Sequence, residues 1–161
     1  MTTIAIAGAT GAVGQQMLEC LKERNIKANL KLLASARSKG KEIDGHIVEE
    51  LTKESFQGVD YVLGATRNDI TKMWMPWAKE AGCIVVDNSS AYRLDEDVPL
   101  VIPEVNKEDI KNHHGLIANP NCATIIALVA LHALHKKYHI KRMIVTTFQA
   151  VSGAGVQGIE D

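Results

Sequence analysis

The chain has 161 residues, of which 46% are hydrophobic and 23% charged, so it can form the core of one domain, or of one domain and the start of another. Its formal net charge of −1 gives no overall field for nucleic acid or an anionic membrane, and no apolar stretch is long enough to predict a membrane-spanning helix. The three cysteines show no paired spacing and the first residues have no basic segment typical of a secretory signal, so we expect a reducing, cytoplasmic setting.

Short apolar runs alternate with helical patterns along the chain, which is typical of a doubly wound parallel α/β sheet. The pattern predicts strands at 3–7, 30–34, 61–65, 84–87, 116–118 and 142–150, and helices at 13–24, 69–81 and 123–138. Pro76 favours a later start for the second helix, and Gly82 is placed to end it. We interpret residues 1–121 as a dinucleotide-binding domain and 122–161 as the beginning of a second, α+β domain. The alternation of strands and helices has not ended at the last residues, so we expect an incomplete chain.

A glycine-rich turn, Gly8-Ala-Thr-Gly11-Ala-Val-Gly14, directly follows the first predicted strand and opens the first predicted helix. Gly8 permits a tight turn, Gly11 permits close approach of a pyrophosphate, and Gly14 lets the helix pack near the strand. The N–H groups at the start of the helix attract phosphates. This context predicts a Rossmann-like dinucleotide site; the alternative is a turn that serves packing alone.

The second predicted strand ends without the carboxylate that binds the ribose 2′-hydroxyl of NAD. Ser35, Arg37 and Ser38 follow that strand instead, with Lys39 and Lys41 just beyond them. A planar guanidinium and two hydroxyls suit a 2′-phosphate, so we predict NADP as cofactor, with Ser35 and Arg37 preferred over the lysines. The alternative is a solvated basic loop.

Cys122 lies beside the predicted start of the helix 123–138. The free N–H groups and the dipole of a helix N-terminus favour the thiolate, which is the form that attacks a carbonyl carbon. Asn121 can cap the helix or donate to an oxyanion. Cys20 and Cys83 are predicted to be small buried apolar residues, on a helix face and at the start of a strand, and this stays the alternative for Cys122.

Arg93 follows the predicted strand 84–87, at the edge of the sheet where ligands gather, and can hold a phosphate through two parallel hydrogen bonds. The alternative is a surface arginine paired with Asp95 or Glu96. Histidines recur on the last helix, but they begin more than two turns from Cys122, too far for proton transfer there. They also lack the carboxylate of a metalloprotease motif, so we predict no metal site.

Six segments, in the same order, resemble the aspartate-semialdehyde dehydrogenase family: GATGAVG (8–14), LASARSKGK (33–41), DNSSAYR (87–93), VPLVIPEVN (98–106), NPNCAT (119–124) and FQAVSGAG (148–155). The resemblance implies reversible, NADP-linked reductive dephosphorylation of L-aspartyl 4-phosphate to the semialdehyde. It further implies an oxidoreductase of lysine, threonine and methionine biosynthesis that is a homodimer and takes a small-molecule substrate.

The resemblance also implies roles for individual positions. Cys122 matches the nucleophile and Gln149 the residue that orients the substrate, while Arg93 and Asn121 match phosphate ligands. The implied cofactor contacts, beside the basic loop, are Gly8, Thr10, Gly11, Ala12, Val13, Thr66, Ser152 and Gly153. The turn 64–69 departs from the family pattern, because Arg67 is bulky for a crowded turn. The family's general-base histidine belongs to a second half, so we expect this chain alone to be inactive.

Three other possibilities stay open. An enzyme like N-acetyl-glutamyl-phosphate reductase shares the chemistry, and a non-catalytic NADP-binding or redox-sensing module shares the glycine turn. The chain can also assemble with a separately supplied second half. An unpaired strand at 142–150 would promote pairing or aggregation.

Overall fold

The computed structural model describes residues 1–148, which form a seven-stranded sheet in the order β3-β4-β2-β1-β5-β6-β7. The strands are β1 (Thr3–Ala7), β2 (Asn29–Ala34), β3 (Glu42–Ile43), β4 (His46–Glu50), β5 (Tyr61–Gly64), β6 (Ile84–Asp87) and β7 (Leu116–Ala118). The α-helices are α1 (Ala12–Glu23), α2 (Asn68–Glu80), α3 (Pro103–Asn106) and α4 (Cys122–Tyr138). Every pairing is parallel except β3 with β4. The predicted doubly wound α/β class is confirmed.

Alternate residues of β1 enter two different apolar layers. Ala5 and Ala7 pack in the layer that contains Trp74 of α2, whereas Ile6 packs in the layer that contains Leu18 of α1. Helices therefore cover both faces of the sheet, which is why its central strands are apolar at successive positions rather than at every second one. Because helices cover both faces, the ends of the strands are the part of the sheet that remains open for a ligand site.

The hairpin formed by β3 and β4 was not among the predicted elements. Ile43 pairs with His46, so only Asp44 and Gly45 form the turn. Both have positive φ, 58° and 78°, as the tightest β-hairpin turns require. From this turn β4 runs parallel to β2 and extends the sheet beyond it.

Helix α2 starts at Asn68 and continues through Pro76, so the prediction of a later start was wrong. Pro76 is exposed and only the carbonyl four residues before it loses a helical donor. Beyond the end of the helix Gly82 adopts φ +79° and donates its N–H to the carbonyl of Lys79 at 3.0 Å. The prediction that Gly82 ends this helix is confirmed.

The buried face of α1 does not include Cys20, which was predicted to be buried. Gly14 and Leu18 are buried, whereas Val13 is 47% exposed and Cys20 is exposed as well. The burial predicted for Cys20 was wrong, because Gly14 and Leu18, one helical turn apart, turn Cys20 away from the sheet. The predicted burial of Cys83 is confirmed.

The last described segment also differs from the prediction. Residues 142–148 lie in no strand. Helix α4 is apolar in composition, yet none of its residues is buried by the described part of the chain. No helix within residues 1–148 combines the length and the apolar character needed to cross a membrane.

Candidate functional site

The glycine-rich turn connects the carboxyl end of β1 to α1. Gly8 adopts φ +91°, and a Cβ there would lie 2.4 Å from the carbonyl oxygen of Ala65. A Cβ at Gly14 would lie 2.3 Å from the carbonyl oxygen of Gly8. Gly11 is exposed, and a Cβ there would meet nothing closer than 3.5 Å. Gly8 and Gly14 are thus required by packing, while Gly11 leaves open space at the first turn of α1.

The turn after β5 packs directly against the glycine turn. A Cβ at Gly8 would lie 3.1 Å from the methyl carbon of Thr66, so these two turns touch. The Thr66 hydroxyl accepts a hydrogen bond from Trp74 Nε1 at 2.9 Å and lies 2.7 Å from the Thr71 hydroxyl. Its methyl group, rather than an uncommitted hydroxyl, faces the glycine turn.

The basic loop after β2 begins with a short 3₁₀ turn at Ala36–Ser38. Ser35 and Arg37 are exposed, whereas Ser38 is buried, with 9% of its surface accessible. Lys39 is already engaged, with its Nζ 3.3 Å from a carboxylate oxygen of Glu50. This arrangement is consistent with the prediction that favours Ser35 and Arg37 over Lys39 as contacts of a 2′-phosphate.

Arg93 is half-buried at the carboxyl ends of β6 and β7. Its Nε donates to the carbonyl of Asn119 and its Nη2 donates to the carbonyl of Asn88, each at 2.9 Å. The side chains of these asparagines also bond each other, since Asn119 Nδ2 donates to Asn88 Oδ1 at 2.6 Å. Among the described residues no ion pair joins Arg93 to Asp95 or Glu96. The second terminal nitrogen of Arg93 takes no part in these bonds.

A buried carboxylate, Asp87, ends β6 beneath this network. Its two oxygens accept hydrogen bonds from the N–H and the hydroxyl of Ser89, at 3.0 and 2.6 Å. Burial raises the pKa of Asp87, while the bonds from Ser89 and the charge of Arg93 act in the opposite direction. Burial together with this carboxylate also raises the pKa of Tyr92. Sequence reasoning did not single out Asp87, Asn88 or the side chain of Asn119, although all lie in the quoted motifs.

Cys122 is the first residue of α4, and it is exposed. Asn121 is the N-cap, and its side-chain oxygen accepts from the N–H groups of Ala123 at 3.0 Å and Thr124 at 3.3 Å. The cap predicted for Asn121 is therefore confirmed. Because β7 leads into this helix through Asn119, the thiol follows the carbonyl that anchors Arg93 by three residues along the chain.

The remaining predicted site residues fall into two groups, one outside the described residues and one at the glycine turn. Gln149, Ser152 and Gly153 lie outside the described residues, as does the end of the strand predicted at 142–150. Thr10, Ala12 and Val13 lie in or directly after the glycine turn, with Ala12 and Val13 exposed. Within residues 1–148 no three His, Cys, Asp or Glu side chains are grouped as metal ligands.

The dinucleotide turn, the basic loop and the thiol all lie at one edge of the sheet, and the similarity to known proteins covers all three. Residues 3–113 match the family described as semialdehyde dehydrogenase, NAD binding domain. The chain belongs to this family. It is 45% identical, over 163 aligned residues, to aspartate-semialdehyde dehydrogenase of Bacillus subtilis, and the match covers 98% of this chain and 47% of that protein.

Solved structures of semialdehyde dehydrogenases share the fold. The crystal structure of aspartate semialdehyde dehydrogenase II from Vibrio cholerae, complexed with ASA, has a TM-score of 0.90 and 45% identity, covering 99% of this chain and 50% of that one. The aspartate semialdehyde dehydrogenase from Candida albicans, with NADP, has a TM-score of 0.71 and 26% identity, covering 87% and 48%. The chain spans about half the length of these relatives and corresponds to their N-terminal portion.

Proposed function

We propose that the chain supplies the NADP site and the nucleophile of an aspartate-semialdehyde dehydrogenase, which converts L-aspartyl 4-phosphate and NADPH to L-aspartate 4-semialdehyde and phosphate. The observation that carries the proposal is the exposed thiol of Cys122 at the start of α4, three residues after the carbonyl that holds Arg93. The reaction needs a nucleophile and a phosphate-binding cation at one place, and these residues supply both.

The glycine turn fits a dinucleotide. It is tight at Gly8 and Gly14 and open at Gly11, so a pyrophosphate can approach the N–H groups at the start of α1. Ser35 and Arg37 are exposed where a 2′-phosphate would lie, with Ser38 as a further contact, and this favours NADP over NAD. Gly8, Thr10, Ala12, Val13 and Thr66 complete this part of the proposed cofactor site.

Cys122 carries the covalent step. Its thiolate forms a C–S bond to the acyl carbon of aspartyl phosphate, and the bond from that carbon to the phosphate oxygen breaks, so phosphate leaves with the electron pair. Arg93 and Asn121 hold the phosphate. When bound, NADPH supplies the hydride that reduces the thioester carbon. Cys122 then departs as its C–S bond breaks, which releases the aldehyde and restores the thiolate.

The remaining functions belong to a second half of the protein and to the residues after 148. Gln149 is proposed to orient the substrate, and Ser152 and Gly153 to contact the cofactor near the nicotinamide. We assign residues 1–121 to the cofactor domain and 122–161 to the start of the catalytic and dimerisation domain. A histidine base from the second half is required, so the chain alone is expected to be inactive. We propose that the full-length enzyme is a cytoplasmic homodimer that acts in lysine, threonine and methionine biosynthesis.

A chimera of residues 1–161 with the C-terminal half of the Bacillus subtilis relative tests the proposal. It should reduce NADP in the presence of aspartate semialdehyde and phosphate, and the Cys122→Ser variant should lose at least about a thousandfold of that activity. The Cys20→Ser variant, with the other exposed thiol changed, is the control. Activity that survives Cys122→Ser would favour the non-catalytic module, and preference for N-acetyl-glutamate semialdehyde would favour the reductase alternative. Thermal unfolding of every variant checks that it is folded.

A further inference from the structure

The ion pair between Lys39 and Glu50 lies beside the basic loop that we assign to the 2′-phosphate. Lys39 Nζ and a carboxylate oxygen of Glu50 are 3.3 Å apart, with the two side chains 65% and 37% exposed. Lys39 directly follows the turn that carries Arg37. Glu50 is the last residue of β4 and pairs in register with Ala34, the last residue of β2. The fold thus brings a carboxylate to the end of β2 from the neighbouring strand.

Backbone hydrogen bonds fix the segment of main chain that carries Glu50. The N–H of Gly40 donates to the carbonyl of Val48 at 2.9 Å, and the N–H of Val48 donates to the carbonyl of Lys41 at 2.8 Å. On the other side of Glu50, the N–H of Leu51 donates to the carbonyl of Ala34 at 2.8 Å. The end of β4 therefore cannot move away from the loop without breaking the ladder.

The position of Glu50 matters for the choice of cofactor. Neighbouring strands lie about 4.8 Å apart, so Glu50 begins one strand spacing from the residue that precedes Ser35. A carboxylate at the end of β2 is the feature that favours NAD, because it binds the 2′-hydroxyl and repels a 2′-phosphate. Without a cation beside it, the Glu50 carboxylate would repel the 2′-phosphate in the same way, from the neighbouring strand.

We infer that Glu50 and Lys39 set the preference for NADP, with Lys39 acting by neutralising Glu50 rather than by gripping the phosphate. Arg37 remains the group that binds the phosphate. Of the other charged side chains on the loop and on β3 and β4, Lys41 is a cation, while Glu42 and Glu49 are exposed carboxylates. The inference rests on the proposed cofactor site and extends it to a pair of residues that the cofactor need not touch.

Opposite effects of two substitutions test this inference in the 161-residue chain. NADPH and NADH are titrated by fluorescence at about 0.01 M ionic strength, where exposed charges act over roughly 30 Å. In a dielectric close to that of water, a change of one unit of charge near a doubly charged phosphate predicts a change in affinity of roughly severalfold. Glu50→Gln should tighten NADPH binding by this factor and Lys39→Met should weaken it, while NADH affinity changes little.

The double variant separates the two ways in which Lys39 can act. If Lys39 and Glu50 act only as compensating charges, then Lys39→Met combined with Glu50→Gln restores the affinity of the unsubstituted chain for NADPH. If Lys39 binds the phosphate directly, the double variant stays weak, and that result would overturn the inference. Lys53→Met combined with Glu80→Gln is the matched control, because this double variant removes another exposed pair, 2.9 Å long, without changing the net charge, and it should leave both affinities unchanged.

The outcomes also separate this inference from the proposed function. A chain that binds NADPH with an affinity that neither Lys39→Met nor Glu50→Gln alters would overturn the inference alone. A folded chain that binds no NADPH would overturn the cofactor proposal, and the inference with it. Thermal midpoints of all variants distinguish a change in the site from a loss of folding.

Discussion

The Nε of Arg93 donates to the backbone carbonyl of Asn119, and this bond joins the loop after β6 to the segment that leads into Cys122. A second bond, from Nη2 to the carbonyl of Asn88, fixes the plane of the guanidinium. The position of a phosphate held by Arg93 is thereby tied to the position of the thiol.

Replacing Arg93 by Lys in the chimera tests this link. A lysine ammonium keeps the charge but cannot bridge both carbonyls and still present a fixed donor to phosphate. We expect the KM for phosphate to rise about tenfold or more, consistent with the loss of one charged hydrogen bond, while the KM for NADP stays unchanged. Steady-state kinetics with either ligand varied measure both values. Arg24→Lys, at the end of α1, is the matched control, and an unchanged KM for phosphate in Arg93→Lys would argue against a phosphate site here.

The glycine turn predicts different consequences for two alanine substitutions. Gly14→Ala places a Cβ 2.3 Å from the carbonyl oxygen of Gly8, so it should cost about 1–3 kcal/mol in the free energy of unfolding. Gly11→Ala meets ordinary contacts and should cost less than about 1 kcal/mol, yet it narrows the proposed approach of the pyrophosphate and should weaken NADPH binding. Urea unfolding and NADPH titration of both variants check this. Equal losses of stability would contradict the structural distinction.

The three thiols should differ in their rates of alkylation. Cys83 is buried, with its Sγ 3.2 Å from the carbonyl of Val59, and burial raises the pKa of its thiol, so it should react only after unfolding. Cys20 and Cys122 are both exposed, but only Cys122 starts a helix, and it is the residue that we propose as the nucleophile. Mass spectrometry of peptides after timed iodoacetamide treatment should show Cys122 modified first. If Cys20 reacted faster, the proposed activation of Cys122 would fail.

Asp87 predicts a characteristic dependence of stability on pH. Because burial raises its pKa above the ordinary value of 3.8, the folded chain binds this proton more readily than the unfolded chain does. Its contribution to stability is therefore present in acid and is lost as the pH rises through the raised pKa. Relative to Asp87→Asn, the unsubstituted chain should be more stable at about pH 4 than at pH 7.

Asp69 is the control for this experiment, because its contribution to stability should change with pH in the opposite direction. The hydrogen bond from Arg67 lowers the pKa of Asp69, so its contribution is present at neutral pH and is lost as the pH falls. Urea unfolding of Asp87→Asn and Asp69→Asn at several pH values should thus give differences of opposite slope. The same slope for both variants would contradict the assignment of Asp87 as a carboxyl that is desolvated by folding.

Periodicity and turn chemistry identified most of the fold. The strands 84–87 and 116–118 were predicted at the bounds that the structure has, because both are short apolar runs between turn residues. The hairpin at Asp44-Gly45 was missed although its signal was present, since Asp-Gly between alternating apolar residues is typical of a two-residue turn. The strand predicted at 142–150 was wrong over 142–148, because a strand also needs a partner and local pattern does not report one.

The motifs predicted the chemistry of the candidate site but not its connections. Arg93 and Cys122 were assigned from their positions after a strand and before a helix. That Arg93 is held by the carbonyl of Asn119, 26 residues away, could not be predicted, because it depends on β6 and β7 being neighbours. Nor could the pairing of Lys39 with Glu50, since β4 was not a predicted strand.

Helix α4 makes the chain a poor candidate for a stable monomer. Ile126 is 73% exposed and Tyr138 is 65% exposed, on a helix that the described residues do not cover. Exposed apolar surface of this kind favours association. We expect the chain to self-associate at high concentration and the second half of a relative, added in trans or fused, to suppress this. Sedimentation velocity measures it, and monodisperse monomers at high concentration would contradict the expectation.

The most direct test of the central claim is whether Cys122 becomes acylated. The chimera is mixed with aspartate semialdehyde and NADP without phosphate, so that the proposed thioester can form but cannot be released by phosphate. The account predicts a burst of one NADPH per site, together with an aspartyl adduct on the peptide that contains Cys122, and its release when phosphate is added. A burst without an adduct on Cys122, or an equal burst in Cys122→Ser, would contradict it.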